Sequence, residues 1–322
     1  MKASRLAAGA AFLLLASIAT ATDGPLVFVS NEKSGTVSVI DAGAVVATIP
    51  VGKRPRGIQP SPDGRRVYVA VSDSEDRSKE AIVEIDVATR QVTARHRCGT
   101  DPEQLAVAPD GRRLYVSNED ASAASIVDVP SGKLVGTVKV GEEPEGVAAS
   151  PDGRWAVITS EAGNAIFVIN SGTKSVAATV PIEGRPRAAQ FSPDGSRLYV
   201  TAELGAALTV VDVKTWKAVK RVPTPGGVRA VGVAVAPDGR RVWVTTSHAG
   251  TIAVFDPEKM EFTGSIPVGK RPWGIARTRD GKTLFTANGV SNDVSIVDAG
   301  AGRVLATIPV GQAPWGVAVI SR

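Results

Sequence analysis

The residues best suited to chemistry stand in two short columns. A loop of the VGxxPxG type, seen as VGKRPRG from Val51 and VGKRPWG from Val268, recurs in strict or looser form seven times. One position of it holds Arg54, Asp101, Glu143, Arg185, Arg229, Arg271 and Ala313. Two residues on stand Arg56, Glu103, Glu145, Arg187, Val231, Trp273 and Trp315. Guanidinium groups grip carboxylates or phosphates through paired N–H donors, and indoles offer a flat apolar platform. Together they suit recognition of a protein partner or a small anionic ligand. The candidate site is therefore Arg54, Arg56, Glu103, Glu143, Glu145, Arg185, Arg187, Arg229, Arg271, Trp273 and Trp315. Solvated rim charges paired with their neighbours are the plainer reading, and the sequence leaves both open.

Catalytic chemistry finds fewer anchors. His96 and His248 are the only histidines and Cys98 the only cysteine, so no metal cage, CxxCH haem site or internal disulfide follows. No metal or cofactor is expected. A GxSxG elbow, a P-loop, HExxH and a dinucleotide fingerprint are all missing. His248, in TTSHAG, is a lone acid/base candidate. Glu103 and Glu145 occupy the same register one repeat apart, where two carboxyls close together would split their proton affinities. No residue is assigned a catalytic role on this basis.

The elements that must position these columns are β-strands. A Pro-Asp-Gly turn recurs as SPDG at Ser61, APDG at Ala108, SPDG at Ser150, SPDG at Ser192, APDG at Ala236 and a degenerate TRDG at Thr278. Successive starts differ by 47, 42, 42, 44 and 42 residues, a blade-sized period. Within one period, alternating apolar and β-branched residues mark four strands, RGIQPS, RVYVAV, AIVEID and QVTARH. Four strands per repeat and seven copies predict an all-β, seven-bladed propeller. The last copy supplies only PWGVAVI, while LVFVSN, TVSVID and VVATIP stand alone near the N-terminus. One blade should therefore be composite, three N-terminal strands plus one C-terminal strand, closing the ring's open edge.

Two further columns read as scaffold. Phe28, Tyr68, Tyr115, Tyr199, Trp243 and Phe285, with Val157 in the fourth repeat's place, should fill the wedge between blades. Asp41, Asp86, Asp128, Asp212, Asp256 and Asp298, with Asn170 equivalent, should bond back to turn N–H groups where the third strand ends. Strand directions put the VGxxPxG loops and the loops after the VSN-type segments on one face and the Pro-Asp-Gly turns on the other. The charged insertion Ser72 to Glu80 lies on the first of these faces.

The N-terminus reads as a targeting segment. Lys2 and Arg5 precede an apolar run from Leu6 to Ile18, and Ala19-Thr20-Ala21 fits a cleavage site. The expected division is 1–21 signal peptide and 22–322 propeller, with export to the periplasm and no membrane span. Cleavage removes two positive charges and lowers the formal net charge from +5 to +3. So small an excess does not by itself imply nucleic acid or a membrane surface.

The runs YVSN, FVSN, TVSVIDA, ATIPVG and PxGxAxSPDG resemble the YVTN family of β-propeller repeats along nearly all of 22–322. The opening VFVSNEKSGTVSVIDAG is further similar to periplasmic propellers associated with pyrroloquinoline-quinone-dependent alcohol catabolism. That resemblance implies a periplasmic protein without established activity, working beside a quinoprotein dehydrogenase, a c-type cytochrome or an ABC transport component, and it brings no quinone site with it. The expected function is accordingly a non-catalytic binding or scaffold protein that engages its partner or a small anion on the loop face. Two alternatives stand beside it. The ring also resembles lactone-hydrolysing propellers in outline, which implies a hydrolase at the channel mouth. Nucleic-acid binding has only the mild basic charge and Trp273 and Trp315 in its favour.

Overall fold

The protein's structure, a computed structural model, describes residues 24–322. The signal-peptide reading of 1–21 lies outside the described residues. No helix among the described residues is long and apolar enough to cross a membrane.

Among the described residues twenty-eight strands, numbered β1 to β28 in chain order, form seven four-stranded antiparallel sheets around a central channel. The first full blade shows the pattern: β4 (Pro55–Pro60), β5 (Arg66–Val71), β6 (Ala81–Asp86) and β7 (Gln91–His96) run from the channel outward. Burial follows that order. The second and third strands are buried except at their Arg66 and Asp86 ends, whereas the outermost strand alternates toward solvent. A strand sandwiched between neighbouring blades has no solvent face, which is why RVYVAV and AIVEID carry continuous rather than alternating apolar runs.

Each Pro-Asp-Gly turn is locked by its own side chains. Ser61 Oγ donates to Asp63 Oδ1 at 2.6 Å and accepts from the Arg66 N–H at 2.9 Å, while Gly64 takes the left-handed φ of +69° that closes the turn. In the degenerate TRDG copy the Thr278 hydroxyl makes the same bond to Asp280 at 2.6 Å, so the loss of proline leaves the turn intact.

The ring closes as the copy count requires. β28 (Pro314–Ile320) pairs with β1 (Leu26–Asn31), which continues into β2 (Thr36–Asp41) and β3 (Ala44–Pro50). In the sheet order β28-β1-β2-β3 the inner edge of β1 is covered by β28, as the second strand is covered in the other blades. The aromatic column is fully packed, with Phe28, Tyr68, Tyr115, Tyr199, Trp243 and Phe285 all 3% exposed or less. Asp86, Asp128, Asp212, Asp256 and Asp298 each accept the N–H three residues ahead, as Asn170 does. Both columns are scaffold.

The innermost strands crowd the channel so tightly that side chains are excluded on their flanks. A Cβ at Gly146 would lie 2.3 Å from the Arg187 carbonyl oxygen of the next blade. Small residues here let seven strands converge, and they set the channel wall from which the larger side chains project.

Candidate functional site

The loop face is built by two sets of backbone bonds. Arg54, Asp101, Glu143, Arg185, Arg271 and Ala313 all sit at left-handed φ between 41° and 66°. For a residue with a Cβ that conformation costs about 1 kcal/mol. In four loops its carbonyl accepts the N–H of the residue directly after the second strand: Glu119 to Asp101 at 3.0 Å, Glu161 to Glu143 and Glu203 to Arg185 at 2.9 Å, Glu32 to Ala313 at 3.0 Å. Four of the seven VGxxPxG-type loops are thus tied to a glutamate, and those of Arg54, Arg229 and Arg271 to Ser72, Ser247 and Gly289.

A second set fixes the column two residues on. Ser30, Ser117, Thr159, Thr201 and Thr245 project from second strands and donate to the carbonyls of Arg56, Glu145, Arg187, Val231 and Trp273 in the following blade, at 2.5 to 3.1 Å. The hydroxyl bolts one blade to the next at the residue that aims its side chain into the mouth.

The side chains so placed form two ion-pair clusters, one around Arg187 and one around Arg56. Arg187 meets Glu161 at 2.5 Å, Glu145 at 3.2 Å and Glu203 at 3.3 Å. Arg56 pairs with Glu103 and, at 2.9 Å, with Glu32. Arg54 reaches Asp101 at 3.4 Å, Glu103 at 3.6 Å and Glu32 at 3.8 Å, Arg185 holds Glu161, and Arg229 reaches Glu203 at 3.3 Å. The far wall is different. Trp273 and Trp315 stack at 6.3 Å with 15° between their planes, and Trp273 carries the guanidinium groups of Arg187 and Arg271 at 4.7 and 4.8 Å. Exposed Arg271 has no carboxylate within ion-pair distance among the described residues.

The arginines, Glu32, Glu145, Glu203 and the two indoles line a mouth of roughly 700 Å³. Beneath it a channel cavity of roughly 660 Å³ runs down to the Pro-Asp-Gly turn of the first blade. Glu145, Arg187, Trp273 and Trp315 border both spaces and form the constriction between them.

Burial dominates the electrostatics of the carboxyls. It raises Glu103 well above the ordinary range, raises Glu119, and brings Glu161 to about 7, and in all three the negative charge of Glu145 is the next cause. Burial works against the Arg56 and Arg187 cations, but the carboxylates around them outweigh it and hold both guanidiniums above their usual range. Glu145 is the hub: its charge is felt by every carboxyl in the mouth whose proton affinity is raised.

A family model described as a seven-bladed β-propeller lactonase matches residues 171–305, 135 residues of the 322. The chain is similar in structure to the periplasmic gluconolactonase of Pseudomonas aeruginosa, with a TM-score of 0.74, 20% identity, and 92% of this chain and 99% of that one covered. It is also similar to a putative 6-phosphogluconolactonase from Bacteroides fragilis, at 0.77 and 17% over 94% and 100% of the chains. Hydrazine synthase of Kuenenia stuttgartiensis aligns at 0.73 and 22% over 87% and 92%. At these identities the structural likeness shows the fold alone. No curated protein matches.

Of the sequence-predicted residues, Arg54, Arg56, Glu145, Arg185, Arg187, Arg229, Arg271, Trp273 and Trp315 line the mouth. Glu103 is fully buried behind Arg56, and Glu143 stands on the outer rim, 3.8 Å from Arg185. His248 is exposed and lines neither space, and His96 is buried against Glu84 at 3.1 Å. The sequence reading missed Glu32, Glu119, Glu161 and Glu203. Their signal was present, since VSNE, VSNE, ITSE and VTAE put glutamate four residues after the packing column's position in four blades. Asp101, Glu103 and Glu119 also lie close enough to share a metal ion, a grouping the sequence did not suggest. Arg54 and Arg56 already supply positive charge to two of the three.

Proposed function

We propose that the chain hydrolyses a lactone at the mouth of its channel. The observation that carries this reading is Glu145, set at the constriction beside Arg187 and surrounded by carboxyls of raised proton affinity. The lactonase-model match over 171–305 and the propellers titled as gluconolactonases support it over the non-catalytic scaffold expected from sequence.

The chemistry follows from charge placement. A sugar-like ring rests on the Trp273 and Trp315 indoles, with Arg271 facing any anionic substituent. Water at the constriction adds to the lactone carbonyl as Glu145 takes its proton, and Arg187 stabilises the oxyanion that forms. The C–O ring bond then breaks, and the departing alkoxide takes a proton from Glu119, which is half-buried, lines the mouth and holds its proton more tightly than an ordinary glutamate. The product is a hydroxy acid.

The test is proton release from a panel containing gluconolactone, 6-phosphogluconolactone and δ-valerolactone. Hydrolysis above the spontaneous rate that falls about a hundredfold or more in Glu145→Gln supports the reading. Background rates across the panel would sink it.

A second reading rests on Arg271, the mouth arginine without a carboxylate, beside the stacked indoles. It is capture of a small anion or a partner's acidic side chain without turnover, in keeping with the periplasmic scaffold role and export expected from sequence. Retention of a periplasmic partner that Arg271→Glu abolishes, in a protein inactive on the panel, would favour it.

A further inference from the structure

Three side chains of the channel wall depart from their columns. The sixth residue of the innermost strand is Pro60, Val107, Ala149, Phe191, Val235 and Val319 in six blades, and Arg277 in the remaining one. The position before it is Ala106, Ala148, Ala234, Ala276 and Ala318 in five blades, but Gln59 and Gln190 in two. All three exceptions line the channel below the constriction.

Two of them meet on one backbone residue. The Val235 N–H donates to Gln190 Oε1 at 3.1 Å, and Arg277 Nε donates to the Val235 carbonyl at 2.5 Å. Gln190 comes from the blade on one side of Val235 and Arg277 from the blade on the other. The bonds fix both orientations: with its oxygen accepting from Val235, the Gln190 amide has its NH₂ left to donate, and no acceptor for it is found among the described residues. Arg277 Nη1 donates to the Thr278 carbonyl at 3.1 Å. Among the described residues no carboxylate lies within ion-pair distance of Arg277, and only the charge of Asp238 acts on it from further away.

A half-buried cation without a counter-charge is costly, and burial accordingly pulls the Arg277 guanidinium below its ordinary proton affinity. Arg56 and Arg187, higher in the same ring, are each met by at least two carboxylates. Of the acidic groups lining the lower cavity, Glu145 belongs to the constriction, and Asp63 is occupied by the Ser61 hydroxyl and the Arg65 N–H. The wall around Arg277 therefore offers donors and no carboxylate to receive them.

We propose that Arg277 and Gln190, both bonded to Val235, form a binding site for a small oxyanion, a phosphate or a carboxylate, at the end of the channel that opens among the Pro-Asp-Gly turns. The fork of Arg277 supplies charge-assisted N–H donors and the Gln190 amide a neutral one, a set matched to a group with several oxygens. Gln59 and Arg279 line the same opening. The site is separate from the mouth, and its occupancy requires no turnover there.

Calorimetric titration of the full chain with inorganic phosphate and, separately, with gluconate tests it. Saturable binding near millimolar affinity is expected for at least one of them. Arg277→Gln should weaken it about tenfold or more. Gln190→Glu keeps the acceptor for the Val235 N–H but sets a carboxylate beside Arg277, and it should abolish binding. Arg271→Ala, at the mouth, should remove only the binding that Arg277→Gln leaves in place. Phosphate alone assigns phosphate esters, gluconate alone assigns sugar acids, and either result supports the site when Arg277→Gln weakens the binding. Absence of saturation with both up to about 10 mM overturns the proposal. So does binding that is unchanged in Arg277→Gln or in a Gln190→Glu variant of unchanged melting temperature, or binding lost altogether in Arg271→Ala.

Discussion

The two ends of the channel solve the problem of a buried charge in opposite ways. At the mouth, arginines and glutamates from successive blades interleave, so that Arg187 alone meets three carboxylates. At the lower end Arg277 stands in an apolar column with backbone carbonyls as its acceptors. Both positions lie on innermost strands of blades built to one pattern, so the scaffold does not dictate the difference. The mouth spends its charges on one another and gains a rigid network with unusual proton affinities. The lower end leaves a cation uncompensated, which is a cost to folding unless something from solution offsets it.

The largest effect expected from breaking the comparison is on stability. Arg187→Ala leaves Glu145, Glu161 and Glu203 buried without their shared cation and should cost about 3–5 kcal/mol, a fall in Tm of roughly 10 °C. The loss should shrink at acid pH, where the carboxyls take up protons. A variant melting like wild type at pH 8 would show that the network contributes little.

On activity, Glu145→Gln should lower kcat on any lactone substrate by about a hundredfold, while Arg277→Val leaves it unchanged. Equal losses would mean that the two ends act as one site.

The pH dependence of stability isolates Glu161. Its carboxyl is raised from 4.5 to about 7, so the folded state keeps a proton that the unfolded chain releases. The associated stability is fully present below the unfolded value and is lost as pH rises through about 7. Tm should decline across that window and the decline should flatten in Glu161→Gln. A wild-type Tm that is flat from pH 5 to 8 contradicts this.

The smallest effect has the opposite sign. Arg277→Val restores the residue type of its column and should raise stability by about 1 kcal/mol in buffer without phosphate or carboxylates. Added phosphate should raise the Tm of the wild type and not of this variant. A destabilised Arg277→Val would mean that the bonds to Val235 and Thr278 outweigh the buried charge.

Much of the fold was legible because a repeat reports the same environment seven times. Tyr68, Tyr115 and Tyr199 read as packing because equivalents recur at one offset, and PWGVAVI read as a closing strand because its three partners were missing from one end and present at the other. The mouth was legible in part. Arg56, Arg187 and Glu145 stood out as variable residues on a common face, but attention to the columns before the Pro-Asp-Gly turn passed over the glutamates after the second strand. Arg277 was hidden in a stretch that read only as a degenerate turn.

What the sequence determined by itself was the architecture, since strand period, turn chemistry and copy number are local quantities repeated along the chain. Which charge meets which was decided only in three dimensions. Glu161 and Arg187 are neighbours because the blade carrying one is bolted to the blade carrying the other through the Thr159 hydroxyl. Gln190 and Arg277 come together only across a blade that lies between them in sequence and in space. Electrostatic pairing depends on distances of a few ångströms between blades, and no spacing along the chain encodes those.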